Sequence, residues 1–245
     1  MSRDGPTGAR ARFLAAVEGT AHGSDGANRL CTACVLALPV QRAGMMISVP
    51  DVGLEVLSAS DRVAERTEWL QVTLSQGPAV DASARSVPIS VPDLNEANGR
   101  WPIFLSEVAD SGIGGMYALP LQIGAIKVGV LDLYCTAEAP LGAAEFAEAV
   151  AISELVTAVL LNVDRDGHLP DSLGPWWNQP PSTREVHQAT GMVMAQLGLD
   201  ARSAYVRLQA FAFESGRLLQ EVAADVVSRR ERLRPDPADN SGPEQ

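Results

Sequence analysis

Along the first two thirds of this chain the apolar positions switch repeatedly between a helical spacing and a strand spacing. Steps of three and four residues cover Arg10 to Ala21, Ala27 to Leu38 and Asp61 to Leu74, and predict helices. Gly44 to Val49 and Leu54 to Ala59 are apolar runs on either side of Pro50-Asp51-Val52-Gly53, which predicts a hairpin. Extended segments follow at Val87 to Val91, Gly114 to Gln122 and Lys127 to Tyr134, the last two joined around Gly124 as a second hairpin. A long helix from Gly142 to Val163 then places Phe146, Ala149, Val150, Leu155, Val156, Val159, Leu160 and Val163 on its apolar side. Helices and hairpins in this order predict an α+β domain rather than a parallel-sheet enzyme.

The carboxy-terminal pattern is helical throughout. Val186, Ala189, Val193, Met194 and Leu197 share one stripe of a segment that opens at Thr183 and closes at Gly198, while Arg184, Gln188, Gly191 and Ala195 fall elsewhere on the cylinder. Asp200 is placed to cap a second helix whose buried face is Ala204, Leu208, Phe211 and Ala212 and whose stop is Gly216. In a third, Leu219, Val222, Ala223, Val226 and Val227 recur at helical steps before the run Arg229-Arg230-Glu231-Arg232-Leu233-Arg234.

This last region resembles the ANTAR domain, the module of bacterial transcription antitermination regulators. The resemblance is carried by Gln188-Ala189-Thr190-Gly191, by Ala204-Tyr205-Val206-Arg207-Leu208 and by Leu219 to Val227 with Val222-Ala223 at its centre. Thr190 stands where many relatives have Lys, and Leu218 replaces the usual small polar cap of the third helix, although Glu221 sits where a capping carboxylate reaches back. The resemblance implies binding of paired RNA stem-loops whose folding competes with a terminator. Arg184 and Arg207 are then candidates for phosphate or base contact, Gln188 and Thr190 for hydrogen bonds, Gly191 for close backbone approach and Tyr205 for stacking on a base or for the core.

The amino-terminal part is similar to the GAF domain, a small sensor with an antiparallel sheet flanked by helices. Its carriers are Gln76-Gly77-Pro78 with Asp81-Ala82, Pro92-Asp93-Leu94 ahead of Arg100-Trp101-Pro102, Ala118-Leu119-Pro120-Leu121, Val128 to Tyr134 and the long closing helix. Relatives often have Cys after the Gly-Pro pair; Ala79 here excludes a thiol or chromophore attachment at that point. The resemblance implies that a small ligand, if the domain holds one, sits among Met45, Ile47, Trp69, Trp101, Phe104, Met116 and Tyr117, residues that plain core packing would also explain. The expected organisation is a GAF-like domain over 10–163, a linker over 164–181 containing Trp176-Trp177, an ANTAR module over 182–234 and a disordered acidic tail over 235–245.

Charge sharpens the division of labour. Residues 1–182 carry 11 Lys+Arg against 21 Asp+Glu, a net of −10, whereas 183–234 carry 8 against 6, all the basic residues being Arg, and the tail adds three acids. Nucleic acid would be repelled by the first part and must use the second, whose net of +2 points to shape and base contacts, and to two copies side by side, more than to counterion release. Hydrophobic residues make up 46% of the 245. The apolar stretches are broken by charge, the first residues lack the apolar run of a signal peptide, and the three cysteines are odd in number, all of which point to the cytoplasm.

Catalytic and metal chemistry find no foothold. G-x-S-x-G, Walker and H-E-x-x-H patterns are absent, and His22, His168 and His187 lie in separate segments. Cys31 and Cys34 share a C-x-x-C spacing but fall on the buried stripe of their helix, so core thiols are expected rather than a metal or redox site. The expected protein is a non-enzymatic regulator without a cofactor. Two competing readings stay open: a DNA-binding regulator, since three helices also make a helix-turn-helix, and a ligand sensor acting through protein partners. A homodimer built on the long closing helix is expected, because its apolar stripe is wider than one sheet edge needs.

Overall fold

The structure, a computed structural model, describes residues 8–19, 26–50, 52–97, 99–161 and 180–234. The chain divides into two units, 1–180 and 181–245. The expected linker around Trp176-Trp177 and the acidic tail fall outside the described residues, as do Asp51, His22, His168 and Val163.

In the first unit α1 (Ala9–Gly19) and α2 (Gly26–Ala37) precede the hairpin β1 (Arg42–Val49) and β2 (Gly53–Ala59). Then come α3 (Arg62–Leu74), α4 (Pro78–Arg85), β3 (Ile89–Val91), a 3-10 turn (Leu94–Glu96), α5 (Pro102–Val108), β4 (Gly115–Ile123), β5 (Ile126–Cys135) and α6 (Ala143–Leu160). The five strands form one sheet in the order β2-β1-β5-β4-β3, every neighbouring pair antiparallel. This is the α+β architecture expected of a GAF-like domain: an antiparallel sheet with helices on both faces.

Because strand side chains alternate, the register decides which residues meet which helices. Met45 pairs with Leu131, and Leu131 with Leu119; these join Tyr117, Leu133, Cys31, Cys34, Ile152 and Val156 in one core beneath α1, α2 and α6. One residue along, Gly44 pairs with Asp132, Asp132 with Ala118, and Met116 with Tyr134; this is the opposite face, covered by α3 and α4. Gly44 is required there, since a Cβ on it would lie 1.8 Å from Glu68 Oε1 of α3. Gly129 is likewise fixed by a neighbouring strand, where an added Cβ would meet Met46 O at 2.0 Å.

The C-x-x-C pair packs as core. Both thiols are fully buried, and burial pushes Cys34 up to about 12, far from the thiolate that metal or redox chemistry needs. Three elements depart from the sequence reading: α4 and α5 occupy stretches to which the apolar pattern assigns no element, and β3 is confined to three residues of the predicted Val87 to Val91. Each of the two helices starts with a proline at its first turn and runs only 8 or 7 residues, too few for an apolar period to show. Val87 is exposed and precedes Pro88, which has no N–H to give a ladder.

The second unit consists, among the described residues, of α7 (Pro181–Leu197), α8 (Ala201–Glu214) and α9 (Leu219–Val227). Helix α7 begins at Pro181, so Thr183 is a buried residue inside it rather than its cap. Val186, Ala189, Val193, Ala204, Leu208, Ala212, Leu219, Val222, Ala223 and Val226 form the module's interior, and α7 packs on both other helices. Phe211, expected in that interior, is only half-buried. Asp200 caps α8 through Ser203 N at 2.8 Å. At the start of α9 the Leu218 side chain is buried and the Glu221 carboxylate accepts from Leu218 N at 3.0 Å, so half of a capping box does the work of the missing polar cap.

Candidate nucleic-acid interface

Helix α7 presents Arg184, Gln188, Gly191 and Ala195 as one exposed stripe, opposite the buried Val186, Ala189 and Val193. Space at Gly191 is open, since an added Cβ there meets nothing within 4 Å. A helix whose outer face carries an arginine, an amide and a bare backbone can approach a nucleic-acid backbone closely and still offer directed donors. The other candidates sit differently. Thr190 is 9% exposed and its hydroxyl donates to Val186 O at 2.8 Å, which commits the donor within the helix. Tyr205 is 6% exposed and packs as interior. Arg207 is half-buried and its Nη2 donates to Arg234 O at 3.3 Å, tying α8 to the segment after α9.

That segment is more elaborate than its sequence suggested. Asp225 accepts from Arg217 Nη2 at 2.5 Å and from Arg230 Nε at 2.7 Å, and these hydrogen bonds, Arg230's being the larger influence, hold its carboxyl below the usual range. Backbone N–H groups of Arg230 and Glu231 both return to Asp225 O, at 2.8 and 3.1 Å. Leu233 is buried, and its carbonyl accepts from Gln196 Nε2 of α7. Between α7 and this pinned segment lies a groove of about 570 Å³, lined by Met192, Ala195, Gln196, Val226, Arg229, Glu231 and Arg232. The arginine run was visible in the sequence, but its return to α7 was not. The available signal was Arg229, an arginine at the place just past a helix end where glycine is preferred.

In the first unit the seven candidates for a ligand site are all buried, on two sides of the sheet. Met45, Ile47 and Tyr117 belong to the core beneath α1, α2 and α6, whereas Met116 faces the opposite side and Trp69, Trp101 and Phe104 lie outside that core. Alternation along β4 puts Met116 and Tyr117 on opposite faces, so the seven do not line one common pocket. The Arg100 guanidinium stacks over the Trp101 ring, 4.0 Å from its centroid. A separate cleft of about 330 Å³ opens beside Leu94, Leu105, Val108, Ile113 and Ala137.

The helix-covered face of Met116 carries a polar cluster that the candidate set omitted. Tyr134 donates to Glu68 Oε1 at 2.5 Å, Gln71 Nε2 donates to Asp132 Oδ2 at 2.9 Å, and Gln71 Oε1 accepts from Ala79 N at 2.8 Å. Glu68, Gln71 and Asp132 are all fully buried. Burial pushes the Asp132 carboxyl up to about 7 although the Gln71 amide pulls it down. Burial, followed by the nearby charge of Asp132, also raises Glu68 well above the carboxylate range. An aspartate at the centre of the apolar run Val128 to Tyr134 is the sequence signal for this cluster.

Residues 181–227 match the family model of the ANTAR domain. The chain carries an ANTAR domain. Its match runs from the first residue of α7 to the last of α9, and therefore takes in the exposed α7 stripe and the groove's apolar lining, but stops short of Arg229 to Arg234. No curated protein matches the chain. Solved structures similar to it include the GAF domain of a phosphoenolpyruvate-protein phosphotransferase from Acinetobacter, 10% identical over 66% of this chain and 96% of that one with a TM-score of 0.48. The corresponding domain from Coxiella burnetii is 15% identical over 60% and 91%, with a TM-score of 0.45. A further GAF domain is 16% identical over 61% and 85%, with a TM-score of 0.45. Among the described residues no helix is long and apolar enough to cross a membrane, and no group of three or more His, Cys, Asp or Glu is placed to hold a metal.

Proposed function

We propose that this protein is a cytoplasmic, non-enzymatic antitermination regulator in which the GAF-like domain controls an ANTAR module that binds tandem RNA stem-loops. The observation that carries the reading is the ANTAR match over 181–227, on a module whose first helix exposes Arg184, Gln188 and Gly191 in a row. RNA suits this face better than duplex DNA. Loop bases are accessible without a groove-reading helix, and the start of α8, Ala201-Arg202-Ser203-Ala204, offers a single long donor to a major groove. Two modules held together engage two stem-loops, which raises the affinity of a weakly charged surface through effective concentration.

The test is a binding comparison of the whole protein, at one salt concentration, against a two-hairpin RNA pool with randomised loops and duplex DNA of equal charge. Preferential selection of RNA loops is the expected result. Equal affinity for both nucleic acids would remove the RNA reading and leave a non-specific or DNA-directed module.

A further inference from the structure

We propose that the groove between α7 and the segment after α9 is a receptor for one unstacked base of a stem-loop, with Arg229 and Arg232 holding the phosphates on either side of that base. The proposal rests on the RNA reading above and deepens it.

Chemistry and position both favour this occupant. The floor is apolar, made by Met192, Ala195 and Val226, and Gln196 supplies an amide already oriented by its bond to Leu233 O. Two exposed arginines, Arg229 and Arg232, line it as well. Among the described residues neither Arg229 nor Arg232 has a side-chain ion pair or hydrogen bond, whereas Arg217 and Arg230 are both engaged by Asp225. Glu231, the one acid in the lining, accepts from Arg232 N at 3.0 Å and is thereby drawn to the segment's own backbone. An apolar floor with paired cations at its edge complements a flat base carrying anionic groups at both ends. The groove also continues the α7 stripe: Gly191 is followed by Met192 and Ala195, so a strand contacting Arg184 and Gln188 is led into it.

Backbone geometry supplies an independent argument. Arg229 adopts φ 61°, the left-handed region, in which a side chain is strained and glycine is not. The position is the residue just past the end of α9: Arg229 N bonds Val226 O at 3.0 Å and Arg230 N bonds Asp225 O at 2.8 Å, the pattern in which glycine usually stands. Glycine would hold the same turn with less strain. A non-glycine residue in this conformation points to a task for its side chain, and Arg229 is one of the residues that line the groove.

This gives a test in which stability and binding move in opposite directions. Wild type, Arg229→Gly, Arg232→Gln and Ala195→Leu are prepared as whole proteins and titrated with the two-hairpin RNA that the wild type selects from the randomised-loop pool. Arg229→Gly is expected to melt at or above the wild-type temperature and to bind at least ten-fold more weakly. Its dependence of log affinity on log salt should be shallower by about one, the loss of one phosphate contact. Arg232→Gln should lose a similar factor. Ala195→Leu fills the floor at an exposed helix position; it should weaken binding to the looped RNA and leave binding to a blunt RNA duplex unchanged. Wild-type affinity in both arginine variants overturns the groove and leaves the RNA reading standing. Failure of the wild type itself to prefer RNA loops overturns both.

Discussion

At Asp132 burial and ionisation conflict directly. Its carboxyl has an ordinary value of 3.8 and is pushed up to about 7 in the folded protein, by burial first. The sign follows directly: below the unfolded value both states are protonated and the penalty is absent, and between the two values the folded state holds a proton that the unfolded state has released. Stability therefore falls as pH rises through that window and levels off above about 7. Asp132→Asn keeps the shape and an acceptor for Gln71 but cannot ionise. Denaturant midpoints taken at pH 5 and pH 8 should drop less in this variant than in wild type; equal drops would place the titration elsewhere. The sequence made this residue visible as a charge inside an apolar run, but not its neighbours, because Glu68 and Gln71 sit on a helix more than sixty positions away and read there as ordinary polar residues.

At the scale of elements, α7 is the helix whose two sides were both readable in advance. Its buried stripe and its polar stripe are separated by the period alone, which is why Val186, Ala189 and Val193 are interior and Arg184 and Gln188 are exposed. Tyr205 and Thr190 were harder: periodicity places a residue on a flank of a helix, but whether that flank is covered depends on how the neighbouring helices cross. Helices α4 and α5 were illegible for a simpler reason, their brevity. Arg184→Ala and Gln188→Ala should each weaken RNA binding several-fold while shifting the melting temperature by no more than a degree or two, as exposed substitutions do. A substantial loss of thermal stability would make them structural residues. Gly191→Ala is the sharper companion, since it adds helix propensity worth about 1 kcal/mol at an open position and puts a methyl group where a backbone is expected to pass. Higher stability with weaker binding is the expected combination.

For the whole molecule, the proposed function needs two modules held together. The sequence suggested the apolar stripe of α6, and much of that stripe is used inside the domain: Ala149, Val156 and Leu160, together with Ile152 outside the predicted stripe, have no exposed surface and belong to the core beneath the sheet. The sequence reading overestimated the surplus because β4 and α1 both pack against this helix. Placing Glu at Val156 or Leu160 would bury an unpaired charge and unfold the domain rather than divide a dimer. Leu155, with Ala151 and Ala158 beside it, is only half-buried and is the proper position to probe. Leu155→Glu should give a folded monomer by light scattering, with paired stem-loops bound no better than single ones; a dimer unaffected by this change would mean that the contact lies on another surface.

If the module binds RNA as proposed, Asp225 also bears on how selective it is. By holding Arg217 and Arg230 it withdraws two of the module's eight arginines from general attraction to phosphate. Asp225→Asn would raise the module's net charge by one and release both guanidinium groups. Affinity for unrelated RNA should then rise together with its sensitivity to salt, and the ratio of cognate to random binding should fall. A competition assay with bulk transfer RNA measures that ratio; its preservation in the variant would show that the carboxylate serves only the turn. On the RNA reading proposed above, the acid in the middle of the basic patch would act as a muzzle, keeping the protein off transcripts that offer charge without the right loop.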